Sequence, residues 1–189
     1  KGVVGDAYWS TFAWELLEEL TEIGNRMAGQ EGEAEGARVV RDGFERAGLE
    51  EPTITEFEIT GWRRGRSELA VDAADGRGRI FDADYEVLAL PGSPAEHVEA
   101  ELIDVGAGLP DDFDEAELDG KIALAGNLNP PDFGRAINRI EKFVRAREAG
   151  AAGFVYVNEA AEGGVPPTGA VGFTHPPAEI PAVGVSKEV

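Results

Sequence analysis

The two histidines are the side chains of this chain that could most readily bind a metal ion or transfer a proton. His97 and His175 lie far apart in sequence. Neither belongs to a His-Glu-x-x-His pair, the spacing that places two zinc ligands on one face of a helix. His175 has Glu179 four residues beyond it, and this pair could bind a metal only if the loop folded back. We interpret both histidines as surface residues and predict no metal ligands.

Carboxylates are the most abundant ionisable groups. Because the chain has 37 acidic residues, many of them are close in sequence, and closeness in sequence does not identify a catalytic pair. The densest run is Asp111-Asp112-Phe113-Asp114-Glu115, which lacks the alternating ligand spacing and central glycine of a calcium loop. We predict a solvated loop at this run. A small acid/base enzyme that uses these carboxylates ranks last among the functional hypotheses, because it depends only on their abundance.

Other catalytic patterns are missing from the sequence. Gly106-Ala107-Gly108 is not followed by a third glycine at dinucleotide spacing, and no glycine-rich run ends in Gly-Lys-Ser/Thr. The chain has no cysteine, which excludes disulfides and thiolate ligands. None of the serines lies in a glycine-flanked nucleophile elbow: Ser10, Ser67, Ser93 and Ser186. We therefore predict no catalytic residue in this chain.

The elements that would position a site are clearest between residues 119 and 158. A turn at Asp119-Gly120 precedes a predicted strand at residues 121–125. An amphipathic helix that ends at Gly150 is predicted from the helical spacing of its apolar residues, Phe133, Ile137, Ile140 and Val144. The apolar run at residues 154–157 predicts a strand covered on both faces. Together these elements predict a βαβ unit.

Two helices are predicted before this unit. The first has Asp6 as its cap and ends at Gly24, and the second covers residues 33–47. Alternation over residues 53–59 predicts a half-exposed strand. After Gly61 the pattern changes to short strands between turns, which we predict at residues 69–73, 79–83, 86–90 and 98–105. A long loop is predicted after the βαβ unit, at residues 159–179. We place a domain boundary between residues 60 and 61.

The charge balance is strongly acidic, because 37 acidic residues face 17 basic ones and give a formal net charge of −20. Acidic residues interrupt every periodic element without destroying its apolar stripe. We interpret them as a solvated coat, as in proteins from a salt-loaded cytoplasm, where high ionic strength screens self-repulsion. Such a surface repels nucleic acid. The apolar runs fall short of the roughly 20 residues that cross a bilayer, so we expect a soluble chain without a membrane partner, located in the cytoplasm or exported.

The βαβ residues carry a resemblance to a known family. Five features, in this order along the chain, resemble the protease-associated domain. They are the Gly-Lys-Ile strand at residues 120–122, a helix with Lys142 and Ala146, the Gly150-Ala151 junction, the strand end at Asn158 and residues 180–183. That domain is inserted in zinc exopeptidases related to bacterial aminopeptidases and glutamate carboxypeptidase. Residues 23–32 and the helix to Gly48-Leu49 are similar to the segment that opens those peptidases, and Asn25 lies where a variable residue usually occurs.

This resemblance implies a mixed α+β or α/β fold: a protease-associated domain of the swivelling β/β/α type, mainly β around a central βαβ unit, preceded by two N-terminal helices. Residues 1–60 would be the helical segment of the peptidase. Residues 61–189 would be the protease-associated domain, and we expect its C-terminal end to be missing. The implied parent is a zinc aminopeptidase or carboxypeptidase with two zinc ions, whose ligands lie downstream. The chain itself would be non-catalytic and bind no zinc.

In the resembling proteins the domain covers the active site of a catalytic domain in the same chain and influences which peptide substrates enter. An arginine near the corresponding helix start helps hold the substrate carboxylate there, which implies substrate binding by Arg135 and Arg139. These arginines are predicted to share one helix face near its amino end. Salt bridges to the acidic coat are the simpler alternative for both. A stand-alone protein- or peptide-binding module without peptidase activity remains the alternative function.

Overall fold

The computed structural model describes residues 10–72, 76–159, 164–172 and 178–189. The chain divides into two compact units, of which the first ends at Arg63 and the second begins at Arg64. The predicted cap Asp6 and the histidine His175 lie outside the described residues. Among the helices that the structure describes, none combines the length and apolar character needed to cross a membrane.

The first unit contains helices α1 (Phe12–Glu22) and α2 (Glu31–Arg46). They meet where α2 carries a glycine, because a Cβ atom at Gly43 would lie 3.0 Å from Cδ1 of Leu16. A pair of hydrogen bonds of 2.8 and 3.0 Å from Arg46 to Glu19 also joins them. The unit buries little apolar surface: α1 has no buried residue and α2 buries only two glycines.

The strand predicted at residues 53–59 is wrong, since this segment has no regular secondary structure and belongs to no sheet. Its alternating side chains are largely exposed, with Phe57 at 81%. A strand needs a hydrogen-bonded neighbour, and within the described residues this segment pairs with none. Alternation of apolar and polar residues was therefore not sufficient to identify a strand.

The second unit is built on a five-stranded mixed sheet in the order β3-β7-β6-β5-β4. β4, β5, β6 and β7 run parallel, and β3 pairs with β7 in the antiparallel direction. A separate antiparallel ribbon is formed by β1 and β2. The strand bounds are β1 Leu69–Asp72, β2 Gly78–Phe81, β3 Val87–Ala89, β4 Leu102–Asp104, β5 Ile122–Gly126, β6 Gly153–Asn158 and β7 Ala182–Ser186.

Two short stretches of helix accompany this sheet, α3 (Pro110–Glu115) and α4 (Arg139–Glu148). On one face of the sheet Phe113 and Phe143 pack into a core with Phe154, whose ring meets that of Phe143 edge-on at a centroid distance of 5.7 Å. On the other face Val155 and Val185 pack with Phe81 and with residues of the ribbon. The sheet is therefore covered on both sides, as the uninterrupted apolar run of β6 predicts.

The predicted βαβ unit is present as β5-α4-β6, and the mixed α+β fold with two N-terminal helices is confirmed. The helix, however, begins at Arg139 rather than near Phe133. Asn138 caps it, because its Oδ1 accepts a hydrogen bond of 2.9 Å from the amide of Ile140. Gly134 has φ of 79°, a turn conformation that does not continue into a helix. The residues that α4 buries are accordingly Lys142, Phe143 and Ala146.

Candidate functional site

The candidate site lies where β5 and β6 end, because the carboxyl ends of parallel strands are where open α/β sheets bind ligands. Asn127 directly follows β5, and Asn158 is the last residue of β6. Nδ2 of Asn127 donates a 2.8 Å hydrogen bond to Oδ1 of Asn158. Oδ1 of Asn127 accepts one of 2.9 Å from the amide of Glu159. We call the group Asn127, Arg139, Lys142, Tyr156, Asn158 and Glu159 the carboxyl-edge site.

Lys142 lies beneath this edge and is fully buried. Its Nζ donates a 2.8 Å hydrogen bond to the carbonyl oxygen of Gly126. Burial lowers the pKa of Lys142, while the negative charges of Glu159 and Asp112 act in the opposite direction. The lysine stem passes close to Gly108, where φ is 63° and a Cβ atom would lie 3.0 Å from Cδ of Lys142. Lys142 therefore joins α4 to the end of β5.

Arg139, the first residue of α4, joins the helix to the segment after β6. Its Nε donates a 3.1 Å hydrogen bond to the carbonyl oxygen of Ala170. Its guanidinium carbon lies 5.7 Å from the centroid of the Tyr156 ring, within the range of a cation–π contact. Burial lowers the pKa of Arg139. Burial also raises the pKa of Tyr156, and the positive charge of Arg139 partly offsets that rise.

Arg135 is exposed and lies in the segment before α4. Its two terminal nitrogens donate hydrogen bonds of 2.9 and 2.7 Å to the carboxylate of Glu141. The hydrogen bond from Arg135 lowers the pKa of Glu141, and Arg145, at 3.4 Å, contributes in the same direction. The prediction that Arg135 and Arg139 share a helix face is wrong, because the turn at Gly134 and the cap at Asn138 leave Arg135 outside the helix.

The other candidates lie away from this site or form structure of a different kind. His97 is exposed, in the segment before β4. The acidic run predicted as a solvated loop is instead helix α3, in which Asp112 Oδ2 accepts a 2.7 Å hydrogen bond from the amide of Leu109. Pro110 at the helix start and carboxylates in its first turn favour that helix. Within the described ranges, no group of three His, Cys, Asp or Glu side chains could hold a metal ion.

Sequence reasoning missed the role of most of the carboxyl-edge site. Asn127 and Asn158 lie 31 residues apart, and the hydrogen bond between them depends on the parallel pairing of β5 with β6. The available signal was that each is a polar residue that closely follows a predicted strand, at residues 121–125 and 154–157. Chemically, the site presents amide, guanidinium and carboxylate groups, which can hydrogen-bond a peptide backbone or a terminal carboxylate.

The second half of the chain matches a family model: residues 95–189, half of the chain, match the model described as the PA domain. Among curated proteins no significant match is found.

Solved structures similar to this chain extend over both units. One is described as an aminopeptidase from Aneurinibacillus sp. strain AM-1, with a TM-score of 0.53 and 22% identity over 93% of this chain and 38% of that chain. Another is BSAP, a zinc aminopeptidase from Bacillus subtilis, with a TM-score of 0.56 and 24% identity over 94% of this chain and 39% of that chain. At these identities the similarity shows a shared fold. The chain spans less than two fifths of the length of each.

Proposed function

Because the chain belongs to the PA domain family, we propose that it is the protease-associated domain, with a preceding helical segment, of a zinc-dependent exopeptidase. Its role would be to cover the active site of a catalytic domain in the same chain and to restrict which peptides enter. The observation that carries this proposal is the extent of the structural similarity, which covers 93% and 94% of this chain in two proteins described as aminopeptidases.

The first unit supports this assignment, because it leaves large apolar side chains exposed. Trp14 is 65% exposed, Leu17 50% and Phe44 47%. Exposed apolar side chains are typical of surfaces covered by a partner when they form a contiguous patch. We propose that the body of the peptidase covers them, in keeping with the prediction that residues 1–60 are part of that peptidase.

Zinc would belong to the parent rather than to this chain. The residues described do not fit a zinc ion, because none of their His, Cys, Asp and Glu side chains form a group of three that could hold one. We propose that two zinc ions, with their ligands and general base, lie in the downstream catalytic domain, and that this chain contributes substrate access alone.

The two arginines would contribute to substrate access in different ways. Arg135 is exposed and already binds a carboxylate, that of Glu141, through two nitrogens. We propose that it exchanges Glu141 for the carboxylate of a peptide substrate, since bidentate pairing with carboxylates is the geometry that guanidinium favours. Arg139 is held by Ala170, so its proposed role is to position residues 164–172 as part of the cover.

The proposal is tested by comparing peptide hydrolysis by the intact parent protein with that by its Arg135→Ala variant. We expect KM to rise several-fold for a peptide with a free carboxylate and kcat to stay near its original value, the pattern of a lost binding contact. The matched control is Arg147→Ala, which removes an arginine near the other end of α4. An unchanged KM in Arg135→Ala would remove Arg135 from the proposed site.

The acidic surface supports a further part of the proposal, namely that the protein works at high salt. The formal net charge is −20, and the carboxylates far outnumber the arginines and lysines available to pair with them. Salt screens the resulting self-repulsion. We propose a salt-loaded cytoplasm as the working environment of the chain.

A further inference from the structure

A groove lies beside β1, near the amino-terminal ends of the parallel strands. The carboxyl-edge site lies at the opposite, carboxyl-terminal ends of these strands. The cavity has a volume of about 900 Å³. Its walls include β1 and residues 96–102. Five of the apolar residues that line it pack together in one cluster, formed by one face of the sheet and the ribbon: Leu69, Val71, Ile122, Val155 and Val183. We call this cavity the β1 groove.

The strand β1 presents an open edge along this groove. It pairs with β2 on one side, and among the described residues no other strand pairs with it. An open strand edge offers unpaired backbone amides and carbonyls, to which an extended peptide can add as a further strand. Leu69–Asp72 has four residues, or roughly 13 Å of strand, which matches a short extended segment.

Acidic side chains surround the apolar lining. Five carboxylates line the groove: Glu68, Asp72, Glu96, Glu99 and Glu101. Arg66 pairs with Glu68, and Lys121 pairs with Glu101 at 3.1 Å. In the part of the chain that the structure describes, Asp72, Glu96 and Glu99 form no salt bridge. The rim therefore keeps a net negative charge beside an apolar floor, and complementary charge favours a cationic occupant.

We propose that the β1 groove binds an extended, cationic segment of a partner protein in which apolar residues alternate with lysine or arginine. The backbone of the segment pairs with the open edge of β1. Its apolar side chains point to Val71 and Val183, and its cations lie near Asp72, Glu96 and Glu99. Period-two alternation meets both requirements, because neighbouring side chains of a strand point to opposite sides. This proposal is independent of the peptidase assignment.

The test uses a fluorescently labelled hexapeptide of alternating valine and lysine, with blocked termini, and the 189-residue chain. We expect saturable binding by fluorescence anisotropy and increased hydrogen-exchange protection of amides in Leu69–Asp72. The double variant Glu96→Lys, Glu99→Lys should bind about tenfold more weakly, since two attractive contacts become repulsive. A peptide of alternating valine and glutamate should not bind.

The control is Asp111→Lys, Asp114→Lys, which makes the same change of net charge at exposed positions of α3, away from the groove. This variant should keep the affinity of the unmodified chain. If both double variants lose affinity for the peptide equally, the peptide is attracted to the acidic surface as a whole, and the proposal is overturned. Absence of saturable binding would overturn it too, as would binding that leaves the exchange of Leu69–Asp72 unchanged.

Discussion

Nζ of Lys142 lies 2.8 Å from the carbonyl oxygen of Gly126, and this hydrogen bond connects the middle of α4 to the last residue of β5. The lysine is fully buried, so its ammonium has exchanged water for a carbonyl oxygen and the nearby negative charges. A buried charge of this kind is retained at a cost in free energy. Because it binds Gly126, the residue before Asn127, and is attracted by Glu159, Lys142 supports the carboxyl-edge site.

Replacing Lys142 by methionine keeps the aliphatic stem and removes the donor. We expect Lys142→Met to lower the free energy of unfolding by about 1–3 kcal/mol at pH 7, because the carbonyl oxygen of Gly126 loses its side-chain partner. Lys187→Met, at an exposed position, is the control and should have little effect. Urea unfolding followed by circular dichroism measures the stability of both variants. If Lys142→Met is as stable as the original chain, Lys142 does not support the carboxyl-edge site.

The difference in stability between the original chain and Lys142→Met is predicted to depend on pH. The folded-state pKa of Lys142 lies below that of the unfolded chain, so the unfolded chain binds more protons in the window between the two. The free energy of unfolding contributed by this residue therefore rises with pH as the ordinary lysine pKa of about 10.4 is approached from below. The stability difference between the original chain and Lys142→Met should grow in this window, and a difference that shrinks there would contradict the assignment.

Arg139 is predicted to hold the segment after β6. In Arg139→Ala the carbonyl oxygen of Ala170 loses its hydrogen bond, and the ring of Tyr156 loses its cation. We expect faster amide exchange in residues 164–172, with a loss of about 1–3 kcal/mol in the free energy of unfolding. Arg147→Ala should leave exchange in residues 164–172 unchanged. If Arg139→Ala also leaves it unchanged, Arg139 does not position this segment.

The salt bridge between Arg135 and Glu141 is predicted to stabilise the chain in a pH-dependent way. Its hydrogen bond lowers the pKa of Glu141, so the stabilisation is fully present above the ordinary glutamate pKa of about 4.3 and is lost as the pH falls through the lower folded-state value. Arg135→Gln should therefore be less stable than the original chain at pH 7 and equal to it once Glu141 is protonated. Thermal unfolding across this range measures the difference, and a gap that persists in acid would exclude the salt bridge as its source.

The acidic surface predicts that the chain gains stability with salt. Raising KCl from 0.1 to 2 M shortens the Debye length from about 10 Å to below about 3 Å and screens repulsion among the carboxylates. We expect Tm to rise by several degrees over this range. Sucrose at matched osmolality serves as the control for solvent exclusion, and a Tm that is flat or falling in KCl would contradict adaptation to high salt.

The elements of the βαβ unit could be predicted because local rules decide them. Gly150 has φ of 86°, which suits the end of a helix, and residues 154–157 of β6 form an apolar run. The start of α4 could not be predicted from its apolar stripe, because Phe133 and Ile137 continue the helical spacing beyond the Asn138 cap. Ile137 is buried all the same, although it lies outside the helix, and Oδ1 of Asn129 accepts a 3.2 Å hydrogen bond from its amide.

The site was harder to predict than the fold, because its contacts join residues that are distant in sequence. The Asn127–Asn158 hydrogen bond and the Arg139–Ala170 hydrogen bond each cross 31 residues. Such contacts follow from strand order, which periodicity does not give. The segment at residues 53–59 shows the same limit, since the alternation of apolar and polar residues says nothing of whether a pairing strand is present.

The central claim is that this chain covers an active site whose zinc and catalytic groups lie elsewhere in a longer protein. The most direct measurement is zinc content, by atomic emission, together with hydrolysis of a leucyl anilide, on the purified 189-residue chain and on the full-length parent side by side. We predict zinc and turnover in the parent and neither in the 189-residue chain. Stoichiometric zinc with turnover in the 189-residue chain, or a zinc-loaded parent that hydrolyses no peptide, would contradict the account.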